Sequence, residues 1–230
     1  MTQPDLNPAQ LEAEIKDQGY AVRPVLDAAA CGEIARIWEE ENRFRKRIIM
    51  QDRAYGRGEY RYLSYPLPDR IAALREAFYP PLAAIANAWR QTLGQSGVFP
   101  PGLREYLDQC HAAGQTRPTP LLLRYGPGDF NCLHQDVYGE HLFPLQVVIL
   151  LSDPSRDFTG GELILVEQRP RAQSRAEIVP LQQGEAAIFP VHHRPAAGRK
   201  GFHRLTVRHG VSRVRSGDRQ TLGLIFHDAA

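Results

Sequence analysis

The tripeptide His134-Gln135-Asp136 sets an imidazole and a carboxylate two residues apart. On a β-strand, residues i and i+2 project to one face, so both side chains can converge on a single ion. Two ligands do not make a site, and a water-facing strand with two polar residues would read the same way. A later stretch supplies the missing parts: His209, then Arg219 ten residues on beyond Gly217, then Thr221 two residues further. Two neutral imidazoles and one carboxylate form a facial triad that leaves coordination positions open, an arrangement suited to non-haem Fe(II). The planar fork of Arg219 suits a carboxylate held by two parallel hydrogen bonds. Thr221, on the same strand face, can add a hydroxyl donor. A metal with a carboxylate clamp beside it is what a 2-oxo acid cosubstrate needs. His203 competes for the third-ligand position, because Arg213 follows it by ten residues as well. His192 and His193 fit a pocket rim or an ordinary loop, while His111, His141 and His227 have no partner pattern and read as structural.

The elements that must position these groups fall into two halves. Asn7-Pro8 is a cap-plus-proline start for a helix over 9–18, ending near Gly19. Tyr20–Leu26 reads as a short strand, and Asp27 caps a second helix carrying Cys31, Ile34, Ile37 and Trp38 at helical spacing. Residues 52–68 lack periodicity and read as a loop or irregular strand. Pro68-Asp69 opens a helical region to about residue 94, expected to break near Pro80-Pro81, and another helix covers 102–112. After Pro118 and Pro120 come short runs rich in Val, Ile and Leu: Leu121–Tyr125, Gln146–Leu151, Glu162–Glu167, Ala186–Val191, Leu205–Val214 and Thr221–His227. Such runs, punctuated by Gly, Pro, Asp and Ser, predict an antiparallel sandwich or barrel. The expectation is an α+β fold in one domain over 1–230, with a mainly helical part (1–117) packed on a β core (118–230).

Composition narrows the classes. The chain is 43% hydrophobic with 18 Pro and 19 Gly, which fits many turns and short strands and excludes disorder, collagen and coiled coil. No apolar run is long enough for a transmembrane helix, and the start Met1-Thr2-Gln3-Pro4-Asp5 carries no export signal. Three widely spaced cysteines, Cys31, Cys110 and Cys132, without a CxxC pair, read as reduced thiols and predict a cytoplasmic protein with no membrane partner. With 28 Lys+Arg against 26 Asp+Glu, net charge alone does not imply nucleic acid, so its distribution matters more.

In these motifs the sequence resembles the 2-oxoglutarate- and iron(II)-dependent oxygenases, in their prolyl-hydroxylase-like branch. The resemblance runs over about 120–228 through Arg124-Tyr125-Gly126-Pro127-Gly128-Asp129-Phe130, His134-Gln135-Asp136, Gly160-Gly161-Glu162-Leu163, Gly184-Glu185-Ala186-Ala187-Ile188-Phe189 and His209 to Leu222. It implies a double-stranded β-helix (jelly-roll) fold and three reactants: Fe(II), 2-oxoglutarate and O2. It further implies iron held by His134, Asp136 and His209, with Arg219, Thr221 and Tyr125 on the distal carboxylate of 2-oxoglutarate. The stretch from Phe189 to His209 is longer than the family's usual one. His209 is preferred over His203 because Gly217, Arg219, Thr221 and the apolar run Leu222–Phe226 keep the family's register from it. A closer similarity involves Gly114–Pro120, Asp157–Glu162, Glu167-Gln168-Arg169-Pro170-Arg171 and Tyr60-Arg61-Tyr62. It points to a bacterial group labelled as oxidative repair of alkylated DNA, by analogy with AlkB-type enzymes.

That lead agrees with a local charge bias. Residues 43–61 hold seven basic side chains, including Arg45, Lys46, Arg47 and Arg57, against Asp52 and Glu59, with Tyr55, Tyr60 and Tyr62 interleaved. Positive charge beside stacking rings attracts phosphate and exposed bases, although a solvated helix end and a loop packed through its tyrosines would look alike. Residues 191–230 repeat the bias with eight Lys+Arg, among them Arg199 and Lys200, against Asp218 and Asp228. The expected reaction is oxidative demethylation of DNA or RNA at an unpaired or extruded base. Two alternatives stand beside it: hydroxylation of a protein side chain or small molecule at the same iron site, and a non-enzymatic ligand-binding β-sandwich. A hydrolytic zinc site would leave Arg219 without a role. A basic groove leading to the iron favours nucleic acid, and a narrow apolar pocket favours a small molecule. The sequence leaves the oligomeric state open.

Overall fold

The computed structural model describes residues 4–137, 139–169, 173–198 and 201–230. Pro170, Arg171, Arg199 and Lys200, and Met1-Thr2-Gln3 at the start, lie outside the described residues. Among the described residues the α-helices are α1 (Pro8–Gln18), α2 (Ala28–Arg36), α3 (Asp69–Thr92) and α4 (Leu103–Ala112). The strands are β1 (Ala21–Pro24), β2 (Phe44–Ile49), β3 (Gly56–Arg57), β4 (Glu59–Leu63), β5 (Leu121–Tyr125), β6 (Phe130–His134), β7 (Leu145–Leu150), β8 (Phe158–Gly160), β9 (Leu163–Gln168), β10 (Arg175–Val179), β11 (Glu185–Pro190), β12 (His193–Gly198), β13 (Gly201–Val211), β14 (Val214–Gly217) and β15 (Arg219–Leu224).

The helix starts follow the expected caps. The Asn7 side chain accepts from the amides of Ala9 (3.0 Å) and Gln10 (3.2 Å), and Asp27 accepts from Ala30 N at 2.8 Å. α3 departs from expectation, because it runs unbroken through Pro80 and Pro81. The lost N–H bonds are outweighed by one long apolar face: Ile71, Leu74, Phe78, Tyr79, Leu82, Ile85 and Trp89 are all buried. Each such side chain contributes about 1.5–3 kcal/mol on burial, against about 3 kcal/mol for a helical proline.

The larger sheet has the order β1-β11-β7-β15-β5-β4-β2, and the smaller β10-β9-β13-β6-β3, with β12 pairing β13. β14 pairs β8 in a short ribbon. The segment expected to be a loop or irregular strand thus contains the regular strand β4, paired antiparallel to β5 and to the edge strand β2. Three consecutive basic residues, Arg45-Lys46-Arg47, hid the alternation of β2, and exposed charges such as Lys46 and Arg47 also protect an edge strand from mispairing. The apolar run over Leu205–Val214 divides into β13 and β14 at Ser212-Arg213.

Alternation along the larger sheet gives it two different faces. Leu145, Val147 and Ile149 of β7 and Leu222 and Leu224 of β15 join Leu11, Ile34, Leu74 and Phe78 in a core between sheet and helices. Their neighbours Gln146, Val148, Arg219, Thr221 and Gly223 line a cavity on the other face. The chain beyond β15 is tied down by Arg75 of α3. Its guanidinium donates to Ile225 O and Phe226 O, both at 3.0 Å, and to Asp228 Oδ1 at 2.9 Å, with Arg75 and Asp228 almost wholly buried. Asp228 Oδ2 also accepts from Tyr65 OH at 2.9 Å. No helix among the described residues is long and apolar enough to cross a membrane. Removing one member of a buried ion pair costs about 3–5 kcal/mol, so Arg75→Ala should lose stability of that order in urea denaturation. A loss below about 1 kcal/mol, the value of an ordinary hydrogen bond, would show that Asp228 does not depend on the guanidinium.

Candidate metal centre

The pairing of β6 with β13 sets His134 directly opposite His209, with ring centroids 4.2 Å apart. The register shifts just beyond, between His209 and Val211. Gly210 permits that close approach, because a Cβ there would lie 2.7 Å from Asn131 O. Asp136 reaches the pair from beyond the end of β6, not from within a strand as the i, i+2 argument supposed. Gln135 makes this possible: its amide donates to His192 O at 3.0 Å and to Val207 O at 2.8 Å, fixing the residue between the two candidate ligands. Asp136 Oδ1 then lies 3.5 Å from His134 Nε2, and Oδ2 lies 3.2 Å from His209 Nε2. One donor atom from each residue falls within 4.8 Å of the others. His203 pairs with Ala196 in the β12–β13 hairpin, outside this cluster.

Both imidazoles turn Nε2 toward the carboxylate and anchor Nδ1 behind. His134 Nδ1 lies 2.8 Å from Cys132 O, and His209 Nδ1 lies 3.4 Å from the Gln146 side-chain amide. Burial opposes the charge on Asp136, but the adjacent His209 and His134 outweigh it and hold the carboxyl well below its usual range. Burial, then the neighbouring His134, lowers the His209 value. For His134 burial acts downward too, but the hydrogen bond to Asp136 reverses it and the net direction is up. A buried carboxylate flanked by two imidazoles is a donor set that a divalent cation satisfies, and two N and one O donors fit Fe(II).

Arg219 opens β15 opposite Tyr125, the last residue of β5, with its guanidinium carbon 5.6 Å from the Tyr125 ring. Its stem fills a slot above Gly161, where a Cβ would lie 2.8 Å from Arg219 Cδ on a backbone already at φ +67°. Arg219 is 2% exposed, and its Nε and Nη1 find no hydrogen-bond partner among the described residues. Burial pulls its value down to about 10, against the upward pull of Tyr125 and Glu162. An unmatched buried guanidinium is costly, and its fork suits a carboxylate. Thr221 is buried two residues along on the same face. The Tyr125 hydroxyl, pushed up to about 12 by burial, accepts from Asn131 Nδ2 at 3.4 Å.

A single cavity of about 330 Å³ joins these parts, with the His/Asp/His cluster, Arg219, Thr221 and Tyr125 all on its lining. The remaining wall is mostly apolar and aromatic, from Tyr55, Tyr60, Tyr62, Leu121, Leu123 and Ile225. Tyr60 and Tyr62 meet edge to face at 5.5 Å, and the Arg45 guanidinium stacks 4.5 Å from the Tyr62 ring while Nε donates to Pro118 O. None of the basic candidates Arg45, Lys46, Arg47 and Arg57 lines this cavity itself. Arg47 pairs with Glu59 at 2.6 Å, Arg57 lies 3.9 Å from Asp129, and Lys46 is exposed on the edge strand β2. His192 and His193 line a second cavity with Arg204 and Trp89. Gln146 went unnoticed in the sequence although it is the one polar residue in the apolar run Leu145–Leu150, which was the available signal.

Among solved structures, a Pseudomonas putida prolyl-4-hydroxylase is similar at a TM-score of 0.53 and 16% identity, over 97% of this chain and 99% of that one. A Burkholderia pseudomallei oxidoreductase of the 2OG-Fe(II) oxygenase family gives 0.50 and 16%, over 97% and 92%. The non-haem α-ketoglutarate-dependent epimerase SnoN of nogalamycin biosynthesis gives 0.54 and 16%, over 94% and 81%. These likenesses show the shared double-stranded β-helix fold. Fold and site together fit one class, an oxygenase of prolyl-hydroxylase-like architecture, with a donor set that suits Fe(II) and a buried guanidinium that suits 2-oxoglutarate. The family model Oxygenase-NA, described as an oxygenase catalysing oxidative methylation of damaged DNA, matches residues 58–229, and the chain belongs to that family. The uncharacterized protein Rv2227 of Mycobacterium tuberculosis (strain H37Rv) is 50% identical over 191 residues, 81% of this chain and 82% of the relative. Family membership removes the non-enzymatic β-sandwich reading. His134→Ala and Asp136→Ala should each weaken Mn(II) binding by about 10-fold or more in titration calorimetry, and wild-type affinity in either would separate that residue from the metal.

Proposed function

We propose that the chain oxidatively demethylates alkylated nucleic acid, with Fe(II) held by His134, Asp136 and His209. Arg219 grips the distal carboxylate of 2-oxoglutarate, and Thr221 and Tyr125 add hydroxyl donors. The observation that carries this reading is the single cavity in which a buried carboxylate between two imidazoles, an unmatched buried guanidinium and a tyrosine-rich wall come together. The description of the chain's family, which names damaged DNA, supports the choice of substrate. Participation of β1 to β4 in the same sheets as the later strands supports a single folded domain, and three free thiols fit a cytoplasmic setting.

When bound, iron with 2-oxoglutarate and O2 supplies the oxidising power to hydroxylate a C–H bond, with succinate and CO2 as coproducts. The protein supplies binding, orientation and exclusion of water. Arg219 orients the cosubstrate from one end of the cavity, and Gly161 keeps that arginine's stem in place. Tyr60 and Tyr62 offer faces and edges on which a planar base can rest, which requires a base that is unpaired or extruded from its duplex. Arg45, stacked on Tyr62, stands beside that wall, with Lys46 next to it on β2. These two are the candidates for the substrate's phosphates, together with Arg57 and with Arg47, whose charge Glu59 already offsets. An N-hydroxymethyl product sheds formaldehyde and leaves the repaired base.

A second reading, hydroxylation of a small molecule or a protein side chain, is favoured by the apolar wall of the cavity and by the pairing of both Arg47 and Arg61 with Glu59. The two separate in one assay. The enzyme is supplied with Fe(II) and 2-oxoglutarate together with single-stranded oligonucleotides carrying N-methylated adenine or cytosine. Succinate and formaldehyde should form in equal amounts, with loss of the methyl group by mass spectrometry. Oligonucleotides that leave succinate production at its background rate would defeat the nucleic-acid reading. Arg219→Ala should raise the 2-oxoglutarate concentration needed for half-maximal turnover by about 10-fold or more, as expected for losing a charge-assisted bidentate contact. Unchanged saturation would assign the clamp to another cation.

A further inference from the structure

A metal-bound imidazole that uses Nε2 must carry its proton on Nδ1, and in metal sites that N–H is almost always given to an acceptor that fixes the ring. For His134 the acceptor is the Cys132 carbonyl, 2.8 Å from Nδ1. For His209 the hydrogen-bond partner at Nδ1 is the side-chain amide of Gln146, with Nε2 at 3.4 Å. Gln146 is 3% exposed and sits on the cavity face of β7 between the core residues Leu145 and Val147. A buried amide in that place needs a partner, and a leucine would satisfy the apolar pattern of the strand better. A carboxamide fills almost the same volume either way round, and its two ends differ only in hydrogen-bond polarity.

Resting on the assignment of His209 as a ligand, we propose that Gln146 is the positioning residue for that ligand. With the metal bound, the amide presents Oε1 to His209 Nδ1–H, because two donors cannot face each other. That contact holds the imidazole in the tautomer whose Nε2 lone pair faces Asp136 and the ion. β7 thereby takes part in the metal centre, and the single polar interruption of its apolar run acquires a role. The ring of Phe189, 5.1 Å from that of His209, packs against the imidazole but offers no hydrogen-bond acceptor, so it cannot set the tautomer.

The test compares Gln146→Leu, which removes the acceptor, with Gln146→Glu, which keeps one of similar size. Co(II) affinity is measured by titration, and the His209 ring nitrogens are followed by 15N NMR in the diamagnetic Zn(II)-loaded protein. Wild-type protein should show His209 protonated on Nδ1 and metal-bound through Nε2. Gln146→Leu should weaken Co(II) binding by about 10-fold or more, and Gln146→Glu should keep wild-type affinity or exceed it. A Zn(II)-loaded His209 bound through Nδ1, or a Leu variant that folds and binds Co(II) like wild type, would overturn the proposal. Should the Leu variant fail to fold, the wild-type spectrum and the Glu variant decide the matter: a Glu variant that loses affinity also overturns it. Failure of the ligand assignment itself looks different, because wild-type protein would then show no metal-induced shift at either His209 nitrogen.

Discussion

Taking a carboxylate out of water costs several kcal/mol unless matching charge or hydrogen bonds replace the solvent. Asp136 accepts that cost beside two imidazoles, and Arg219 accepts the opposite one in the same cavity with two of its nitrogens unmatched. The two charges do not neutralise each other, since each is held on its own strand system, Asp136 behind β6 and Arg219 at the head of β15. Such a pair of separated, desolvated charges is poor design for stability alone. It becomes intelligible when a cation sits at one end and an anionic ligand at the other, which is the charge pattern of a metal chelated by a diacid.

Holding that pattern against its electrostatic cost falls to the backbone. His134 and His209 meet because antiparallel registry makes them cross-strand partners, and Tyr125 and Arg219 meet for the same reason on the facing sheet. A slip of one residue in either ladder would turn these side chains to the opposite face. Registry is protected on the larger sheet by its other side, where Leu222, Leu224, Val147 and Ile149 are locked against the helices. The Arg75–Asp228 pair then fixes the segment leaving β15. Stability elsewhere in the molecule thus offsets the expense of the site.

Much of this was legible from residue types and spacing. His134, Asp136, Arg219 and Thr221 could be singled out as candidates by residue type and interval, whereas spacing left His203 beside His209 and only the family resemblance chose between them. β5 was legible because Leu121–Tyr125 is a compact apolar run. Other features were hidden for physical reasons. β4 carries Glu59 and Arg61 on one face and Tyr60 and Tyr62 on the other, while β2 runs Arg45-Lys46-Arg47 through a register shift. Neither strand therefore shows an apolar alternation, and part of the charge sits on stems that are themselves partly apolar. Asp136 lies past the end of its strand, where the position is set by Gln135 reaching two carbonyls distant in sequence. The unbroken α3 depends on tertiary burial that no local proline rule contains. The basic stretch over 43–61 looked like a phosphate-binding surface, but pairing with Glu59 and Asp129 became visible only once β4 was seen folded beside β2 and Arg57 beside the turn after β5.

That neutralisation bears on how a substrate would be chosen. A cavity near 330 Å³ stands at the lower end of ordinary ligand pockets, about 300–1,000 Å³. It must admit the cosubstrate as well, so what reaches the metal is a fragment, such as one base, one ring or one side chain, and not a whole macromolecule. With Arg47 and Arg61 committed to Glu59, long-range attraction contributes less than the raw charge of the segment suggests. For a nucleic-acid substrate, selection would then rest on fit against Tyr60 and Tyr62, where stacking is worth about 1–3 kcal/mol per base. Stacking of that kind discriminates shape and planarity but not sequence. On the nucleic-acid reading proposed above, that would suit acceptance of a damaged base in any neighbourhood, and discrimination of damaged from intact would fall to the ease with which the base leaves its stack.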